Sequence, residues 1–262
     1  MTFEIPGPRV ILSPGPLKKG AEVTLEGPPF QALLMREPRL GEAVTVVDPH
    51  GREFRARVVE ISEGKAKLYV FEELERPTEP PFDLWLLQAL PDRERMELII
   101  QKATELGARV IVPFKSLKSI ALEEREARQP KAHRWPHVAL RATKQCRRAY
   151  LPFVAPYCSF EEVLARSEGL ELKLILYEGK GRPLASIIRR SPSPRSVALM
   201  VGPEGGWEEG EVERAKRAGF IPCTLGGRIL RTETAAIATC AILMYEWEEC
   251  SGDGFQKEGL RP

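Results

Sequence analysis

Short runs of apolar residues alternate with polar ones through the first 71 residues of the chain. Alternation with a period of two is typical of β-strands with one buried face. Turn-forming residues separate the runs, for example Asp48-Pro49-His50-Gly51 and Glu63-Gly64. The runs are RVIL, AEVTL, AVTVVD, EFRARVVEI and KAKLYVF. Several short strands at regular spacing predict a small antiparallel β-barrel of roughly 70 residues.

A proline-rich stretch, Arg76–Pro81, ends this pattern. Proline lacks a backbone N–H and fixes φ, so three prolines in six residues exclude a central strand or a helix interior. The stretch predicts a boundary that divides the chain into the barrel, a linker, a second domain and a loose C-terminal tail. The corresponding ranges are 1–76, 77–81, 82–250 and 251–262.

Beyond this boundary the pattern changes to apolar runs that alternate with segments of helical periodicity. FDLWLLQAL predicts a buried strand, and Met96, Ile99 and Ile100 begin a helical repeat that continues to Leu106. We expect Pro91 and Asp92 to start this helix, Gly107 to end it, and a second strand to follow at 109–114. Such a βαβ unit is typical of an α/β fold with a mostly parallel sheet.

The same alternation continues through the rest of this region. SFEEVLAR predicts a helix with Ser159 as its N-cap, LKLILYE a strand, PLASIIRR a helix and SVALMVG a strand. Two glycine turns then lie close together, at Gly202–Gly206 and at Gly226-Gly227, each after a short apolar run. Glycine lets the backbone approach a ligand closely, so two such turns predict one pocket. Neither turn fits the dinucleotide pattern or the P-loop pattern, which leaves another nucleoside-containing cofactor.

A basic segment precedes these turns. Seven Arg or Lys residues and no Asp or Glu lie between Ala127 and Phe160. A helix over 135–149 would place His137, Arg141, Lys144 and Arg148 on one face and apolar residues on the other. This face predicts contacts with a polyanion, and an exposed helix paired with acidic neighbours is the alternative. The same two interpretations apply to five barrel arginines, Arg36, Arg39, Arg52, Arg55 and Arg57.

Composition limits the remaining possibilities. A formal charge of +2 does not by itself imply a nucleic-acid partner, and the absence of a long apolar run or a signal peptide predicts a cytoplasmic protein without membrane contact. Five cysteines without a C-x-x-C pair, and His133 and His137 without further ligands, argue against a disulfide framework and a metal site. The 23 prolines and the lack of asparagine indicate heat adaptation or a biased genome.

Two strings in the C-terminal region carry a specific resemblance. GPEGGW at 202–207 and TLGGRILRTETA at 224–235 resemble the signature of the RsmE family, the uracil-N3 methyltransferases of small-subunit (16S) ribosomal RNA. Upstream landmarks of that family match in the same order: Gln88-Ala89-Leu90, Lys102–Gly107, Pro113, Gln145 and Arg148. Leu33–Arg36 fits the PUA-like RNA-binding domain of the family, so the resemblance covers nearly the whole chain. The segment around Cys146-Arg147, with Arg141 and Lys144, departs from the pattern because it is more basic.

The resemblance implies a SPOUT-class domain with a C-terminal trefoil knot, S-adenosylmethionine as cofactor, a homodimer, no metal, and ribosomal RNA or the assembled small ribosomal subunit as substrate. Three loops would surround the cofactor. The predicted cofactor-binding residues are Leu176, Tyr177, Glu178, Val201, Gly202, Pro203, Glu204, Gly205, Gly206, Leu225, Gly226, Ile229, Leu230, Arg231, Thr234 and Ala235. The predicted RNA-binding residues are Arg36, Arg141, Lys144, Gln145 and Arg148.

Methylation at uracil N3 requires alignment of the reactants and loss of the N3 proton. Arg231 is the predicted catalytic cation, because it could stabilise the developing anion on uracil, and Glu233 or Glu204 could accept the proton. Thr232 would also be the N-cap of the next helix, with Glu233 favoured there by the helix dipole, since a helix start can cap itself and face a ligand. Two other functions stay open: methylation of another RNA site, such as a ribose 2′-hydroxyl, and RNA binding without catalysis in ribosome assembly.

Overall fold

The structure is a computed structural model that describes residues 4–91, 95–128, 132–178, 181–191 and 194–249. Two sheets form, a four-stranded antiparallel sheet near the N-terminus and a seven-stranded parallel sheet after it. Within the described residues, no helix has the length and apolar character required to cross a membrane. Asp92, Lys131, Cys250 and the predicted tail lie outside the described residues.

The antiparallel sheet contains four of the five predicted runs. Its elements are β1 (Glu22–Glu26), α1 (Gly27–Leu34), β2 (Ala43–Val47), β3 (Glu53–Ser62) and β4 (Lys65–Glu73), with the strand order β1-β4-β3-β2. The first run, RVIL, is not a strand: Val10 forms an isolated bridge with Tyr150, and Leu12 forms one with Val47. Helix α1 was not predicted, although two prolines in its first turn suit a helix start.

The parallel sheet and its helices follow the predicted alternation. Its strand order is β7-β6-β5-β10-β8-β11-β9. The strands are β5 (Asp83–Ala89), β6 (Val110–Phe114), β7 (Phe153–Val154), β8 (Leu172–Leu176), β9 (Arg182–Pro183), β10 (Ser196–Val201) and β11 (Ile221–Thr224). The helices are α2 (Met96–Glu105), α3 (Leu122–Arg128), α4 (Trp135–Cys146), α5 (Phe160–Arg166), α6 (Leu184–Ile188), α7 (Glu209–Arg217) and α8 (Thr232–Met244), which continues as a π-helical turn, Tyr245–Glu249.

Apolar side chains cover both faces of this sheet. Leu84 and Leu86 of β5 belong to the core beneath α2 and α8, whereas Trp85 and Leu87 belong to the core on the opposite face. Burial on both faces explains why β5 is apolar at almost every position.

The predicted cap at Ser159 is confirmed, because its Oγ accepts from the Glu162 amide and the Glu162 carboxylate accepts from the Ser159 amide.

Two predicted helix boundaries are wrong. Helix α2 begins at Met96, and Pro91 lies in the loop before it rather than in its first turn. Helix α4 ends at Cys146, where Arg147 adopts a left-handed conformation with φ of 65°. Because a left-handed residue stops the helix, Arg148 does not continue the basic stripe of α4.

Arg148 instead enters a joint between the two sheets, formed by residues 78–79 and 148–150. Its guanidinium group donates to the Glu79 carboxylate at 2.6 Å, and its side chain is only 3% exposed. Glu79 also accepts from the Tyr150 amide, while Thr78 donates to Glu53 of β3. The predicted linker is therefore bonded both to the small sheet and to the segment after α4.

Arg36 lies in the same region and is also buried. It donates to three backbone carbonyls, those of Ala32 at 2.7 Å, Arg9 at 2.8 Å and Ala149 at 2.5 Å. Burial lowers the pKa of Arg36 to about 10, so the guanidinium group remains charged at neutral pH. Buried arginines of this kind hold chain segments together through backbone oxygens.

Candidate active site

A cavity of about 310 Å³ opens at the carboxyl ends of β8, β10 and β11. In open α/β sheets this edge is where ligands bind, and the volume is at the lower end of the usual range for small-molecule pockets. Three loops line it, one after each of these strands, together with Arg95 before α2. The lining residues are Arg95, Leu176–Glu178, Val201–Glu204, Gly206, Trp207, Cys223–Thr232 and Ala235.

The structure brings most of the predicted cofactor residues to this cavity. The exceptions are Gly205 and Thr234, and the predicted catalytic residue Glu233 does not line the cavity either. Arg231 lines the cavity and is exposed. Seven lining residues are not among the predicted cofactor-binding residues: Arg95, Trp207, Cys223, Thr224, Gly227, Arg228 and Thr232. Of these, Gly227, Arg228 and Thr232 lie within the third predicted loop, so the sequence missed Arg95, Trp207, Cys223 and Thr224.

Two glycines in the loop after β10 make room for neighbouring side chains. Gly206 has φ of 69°, and a Cβ atom there would lie 2.7 Å from the Glu178 carboxylate. A Cβ atom at Gly202 would lie 3.0 Å from the Trp207 ring. The Trp207 indole N–H donates to the Leu176 carbonyl at 2.7 Å and so joins the loops after β8 and β10. Close packing against the Trp207 ring therefore favours glycine at Gly202, and the positive φ favours it at Gly206.

The hydroxyl of Thr232 joins the loop after β11 to the loop after β10. It donates to the Gly202 carbonyl at 2.6 Å and accepts from the buried Gln88 amide at 3.0 Å. The prediction of Thr232 as an N-cap is wrong: it is the first residue of α8, Arg231 occupies the cap position, and no side chain caps the helix. Because Thr232 bonds to β5 and to the loop after β10, it holds the start of α8 against the cavity wall.

An ion pair joins Arg95 of the cavity lining to the start of α8. The Arg95 guanidinium donates to the Glu233 carboxylate at 2.8 Å, and the two side chains are 16% and 15% exposed. Arg95 follows the carboxyl end of β5, a position where ligand contacts are common in parallel sheets. The position after the end of β5 could have identified Arg95 from the sequence. The sequence pattern was interpreted there only as the start of a helix.

Charged side chains of both signs line the cavity. Arg228 and Arg231 lie after β11, Arg95 lies before α2, and Glu178 and Glu204 lie after β8 and β10. Ile229 is 85% exposed between the first two, so it offers apolar surface at the entrance. Cys223 lies at the base, where burial raises the pKa of its thiol to about 12. A thiol that stays protonated at neutral pH is a poor nucleophile.

The basic face predicted for α4 is only partly present. Arg141 and Gln145 are exposed, and Lys144 donates to the Glu42 carboxylate at 2.9 Å and to the Glu37 carbonyl. Arg36 and Arg148 are buried, with their guanidinium groups bonded within the chain. Their guanidinium groups are thus not exposed for the predicted contacts with RNA phosphates, and helical spacing does not reveal partners that are distant in sequence.

Comparison with known proteins identifies the family. The model of the RNA methyltransferase domain family matches residues 78–244. A Bacillus subtilis protein named ribosomal RNA small subunit methyltransferase E is 32% identical over 219 residues, which cover 81% of this chain and 85% of the relative. This chain belongs to the ribosomal RNA small subunit methyltransferase E family. A Mycobacterium bovis methyltransferase E is 30% identical over 89% of this chain and 91% of its own length.

Solved structures extend the likeness to the fold. The methyltransferase E of Neisseria gonorrhoeae, bound to S-adenosyl methionine, has a TM-score of 0.65 and 32% identity, and the match covers 92% of this chain and 98% of that one. A Legionella pneumophila protein in complex with the same cofactor has a TM-score of 0.61 and 30% identity over the same shares of the two chains. The α/β fold predicted from the sequence is confirmed as a parallel sheet with a separate small antiparallel sheet.

Proposed function

We propose that this methyltransferase E family member transfers a methyl group from S-adenosylmethionine to N3 of one uridine in small-subunit (16S) ribosomal RNA. The observation that carries the proposal is the three-loop cavity in a chain similar along 92% of its length to a methyltransferase E bound to S-adenosyl methionine. No cysteine nucleophile is needed, because direct transfer requires only alignment of donor and acceptor. The protonated thiol of Cys223 fits that scheme.

The cavity residues fit the cofactor. Gly226 and Gly227 line the cavity with nothing within 4 Å of where a Cβ atom would lie, so the backbone there can approach a nucleoside closely. Leu225, Ile229 and Leu230 provide apolar surface for the faces of an adenine ring, and backbone groups can bond its edge. When bound, the cofactor supplies an activated methyl group on a sulfonium centre.

Arginines of the cavity would stabilise the methyl acceptor, a uracil that has lost its N3 proton. Loss of the N3 proton leaves negative charge on uracil N3 and its two carbonyl oxygens, and Arg231 at the cavity entrance stabilises this charge. Arg95, held by Glu233, presents a second cation to the same cavity. Because Glu204 lines the cavity and Glu233 does not, Glu204 is our preferred proton acceptor.

We infer a homodimer from the outer face of α8. The helix carries apolar residues on all sides, and Ile242 and Tyr245 are 38% and 68% exposed. Leu98 of α2, which packs beside α8, is 41% exposed. Apolar side chains clustered on two adjacent helices are typical of an interface. A second copy of the chain would cover them.

The domain organisation belongs to the same proposal. We infer a PUA-like RNA-binding domain over 1–76, a linker at 77–81 and a SPOUT domain over 82–250 with a trefoil knot near its end. In support of the knot, β10 lies between β5 and β8, and Thr232 bonds to the loop that follows β10. A cytoplasmic protein with access to ribosomal RNA or the assembled small subunit completes the proposal.

The test is to map the methylated nucleotide. Purified protein is incubated with labelled cofactor and either 16S ribosomal RNA or small subunits from cells that lack the protein. The expected product is one 3-methyluridine, detected by mass spectrometry of nuclease fragments and by a reverse-transcription stop. A methylated ribose 2′-hydroxyl would replace the proposed reaction with the alternative one, and cofactor binding without any RNA methylation would indicate an RNA-binding factor.

A further inference from the structure

Gln88 is a polar residue inside an apolar strand. It lies near the carboxyl end of β5, opposite Val201 of β10 and Pro113 of β6, and it is completely buried. Its neighbours along the strand, Leu87 and Ala89, are buried apolar residues. Burial of a side-chain amide is unfavourable unless its polar atoms are hydrogen-bonded. The contacts of the amide therefore indicate why a glutamine occupies this position.

The two ends of the Gln88 amide differ in their contacts. Nε2 donates to the Ala89 carbonyl at 2.9 Å and to the Thr232 hydroxyl at 3.0 Å, so both of its protons are used. Oε1 is buried and has no hydrogen-bond partner in the part of the chain that the structure describes. Because a carbonyl can only accept, the nitrogen must face Ala89 and the oxygen is left unpaired. An unpaired buried acceptor lowers stability, so stability alone does not explain this glutamine.

The bonds from Gln88 form a chain that ends at the cavity wall. Thr232 accepts from Gln88 and donates to the Gly202 carbonyl at 2.6 Å. The Thr232 hydroxyl has a single proton, and the donor from Gln88 occupies one of its lone pairs. The proton is therefore directed to Gly202. Thr232 and Gly202 both line the cavity, whereas Gln88 does not.

The peptide unit between Gly202 and Pro203 depends on this chain. Proline has no backbone N–H, so the Gly202 carbonyl is the only hydrogen-bonding group of that unit. Glycine also restricts backbone rotation less than any other residue. Both Gly202 and Pro203 line the cavity. A bond that fixes the Gly202 carbonyl therefore fixes the orientation of part of the cavity wall.

We propose that Gln88 is a positioning residue for S-adenosylmethionine, an inference that rests on the proposed function for the identity of the cofactor. Its amide directs the Thr232 hydroxyl to the Gly202 carbonyl and so holds the peptide between Gly202 and Pro203 in the orientation that receives the cofactor. Gln88 acts through these residues and does not touch the reactants. An apolar side chain of similar length in its place should fold as well but bind the cofactor less tightly.

The first experiment compares Gln88→Met with a matched control, Thr104→Val. Methionine has nearly the length of glutamine and no N–H donor. Thr104 of α2 is completely buried, its hydroxyl has no partner among the described residues, and it does not line the cavity. Both substitutions therefore remove an unpaired buried oxygen, but only the first also removes a bond to Thr232. Isothermal titration with S-adenosylmethionine measures affinity, and a thermal scan measures stability.

We expect Gln88→Met to bind the cofactor about fivefold more weakly, the loss typical of one hydrogen bond, and Thr104→Val to bind it normally. Neither substitution should lower the midpoint of unfolding by more than about 3 °C. If Gln88→Met binds the cofactor normally, or loses affinity only together with a larger loss of stability, Gln88 has no positioning role.

The second experiment tests whether Gln88 acts through Thr232. The variants are Gln88→Met, Thr232→Val and the combination of the two. Residues that act through one hydroxyl do not have additive effects, so the double variant should bind the cofactor no more weakly than Thr232→Val alone. A loss in the double variant equal to the product of the two single losses would overturn the proposed route.

The third experiment measures amide hydrogen exchange without the cofactor, and so does not depend on the proposed function. Gln88→Met should speed exchange in the loop at 202–208 and leave exchange in β1 of the small sheet unchanged. If the unmodified protein does not bind S-adenosylmethionine, the proposed function fails, but faster exchange in this loop would still support its positioning by Gln88. If the unmodified protein binds the cofactor and methylates the RNA while Gln88→Met changes neither affinity nor exchange, the positioning role is refuted and the proposed function stands.

Discussion

The Thr232 hydroxyl lies 2.6 Å from the Gly202 carbonyl oxygen, so the first residue of α8 is bonded directly to the loop after β10. Thr232→Val keeps the shape of the side chain but leaves the Gly202 carbonyl and the Gln88 amide without this partner. We expect cofactor affinity to fall about tenfold, since each unpaired buried group costs about 1–3 kcal/mol. Isothermal titration with S-adenosylmethionine measures the affinity. Thr232→Ser keeps the hydroxyl and should bind the cofactor with nearly the affinity of the unmodified protein.

Thr234→Val is the matched control for Thr232→Val. Thr234 lies two residues further along α8, is exposed and does not line the cavity. Its substitution should leave cofactor affinity unchanged. A large loss in this variant would restore Thr234 as a cofactor contact, as the sequence predicted, and would show that the cavity extends further than its present lining.

Gly206→Ala should abolish cofactor binding, while the protein should still fold. The new Cβ atom would lie 2.7 Å from the Glu178 carboxylate, and φ of 69° disfavours alanine. Both effects move the loop after β10 away from the loop after β8. Gly210→Ala is the control, because Gly210 lies in α7 with open space around it. If both variants bind the cofactor normally, the loop does not form the cofactor wall.

Arg231→Ala should lower the methylation rate about 100-fold, because a cation that stabilises charge in the transition state is lost. Cofactor affinity should change little, since Arg231 is exposed at the entrance. Single-turnover methylation of 16S ribosomal RNA gives the rate, and Arg231→Lys should recover part of it. An unchanged rate with Arg231→Ala would transfer the catalytic role to another residue, with Arg95 as the first candidate.

The Arg95–Glu233 ion pair should contribute to stability as well as to the site. Removing one partner, as in Glu233→Gln or Arg95→Met, should lower the free energy of unfolding by about 2 kcal/mol, less than for a completely buried pair. The double variant should lose less than the sum of the two single losses. Urea denaturation of all four proteins measures this coupling, and strict additivity would show that the pair contributes nothing.

The proposed dimer has its own test. Tyr245→Asp places a charge on the exposed apolar face of α8 and should convert a dimer into a monomer. Sedimentation velocity or light scattering measures the mass of the particle. Tyr69→Asp, at a 42% exposed tyrosine of the small sheet, is the control and should leave the dimer intact. A monomeric unmodified protein at micromolar concentration would contradict the proposal.

Local sequence patterns predicted the elements that depend on local interactions. The cap at Ser159 depends on residues three positions apart, and the buried run of β5 follows from its place inside a parallel sheet. The glycine loops predicted the cavity because glycine marks close backbone approach. These features need no information about distant parts of the chain.

The errors involve partners that are far apart in sequence. Arg148 continues the helical spacing of α4, but its charge pairs with Glu79, sixty-nine positions earlier. Arg36 bonds to a carbonyl one hundred and thirteen positions away. Thr232 has the residue type of an N-cap, yet its hydroxyl accepts from Gln88 of β5, far away in the sequence. No periodicity or motif contains these pairings, because they arise only when the sheets are assembled.

The joint around Glu79 has a consequence for substrate selection. Glu79 binds Arg148 and the Tyr150 amide, and Arg36 binds the Ala149 carbonyl, so the small sheet is tied to the large one through several charged hydrogen bonds. The distance between the small sheet and the cavity is then fixed by these bonds. If the small sheet binds RNA, as we propose, its contact point and the target base must be separated by that distance in the folded RNA. Substrate selection would then depend on the folded shape of the RNA as well as on its sequence.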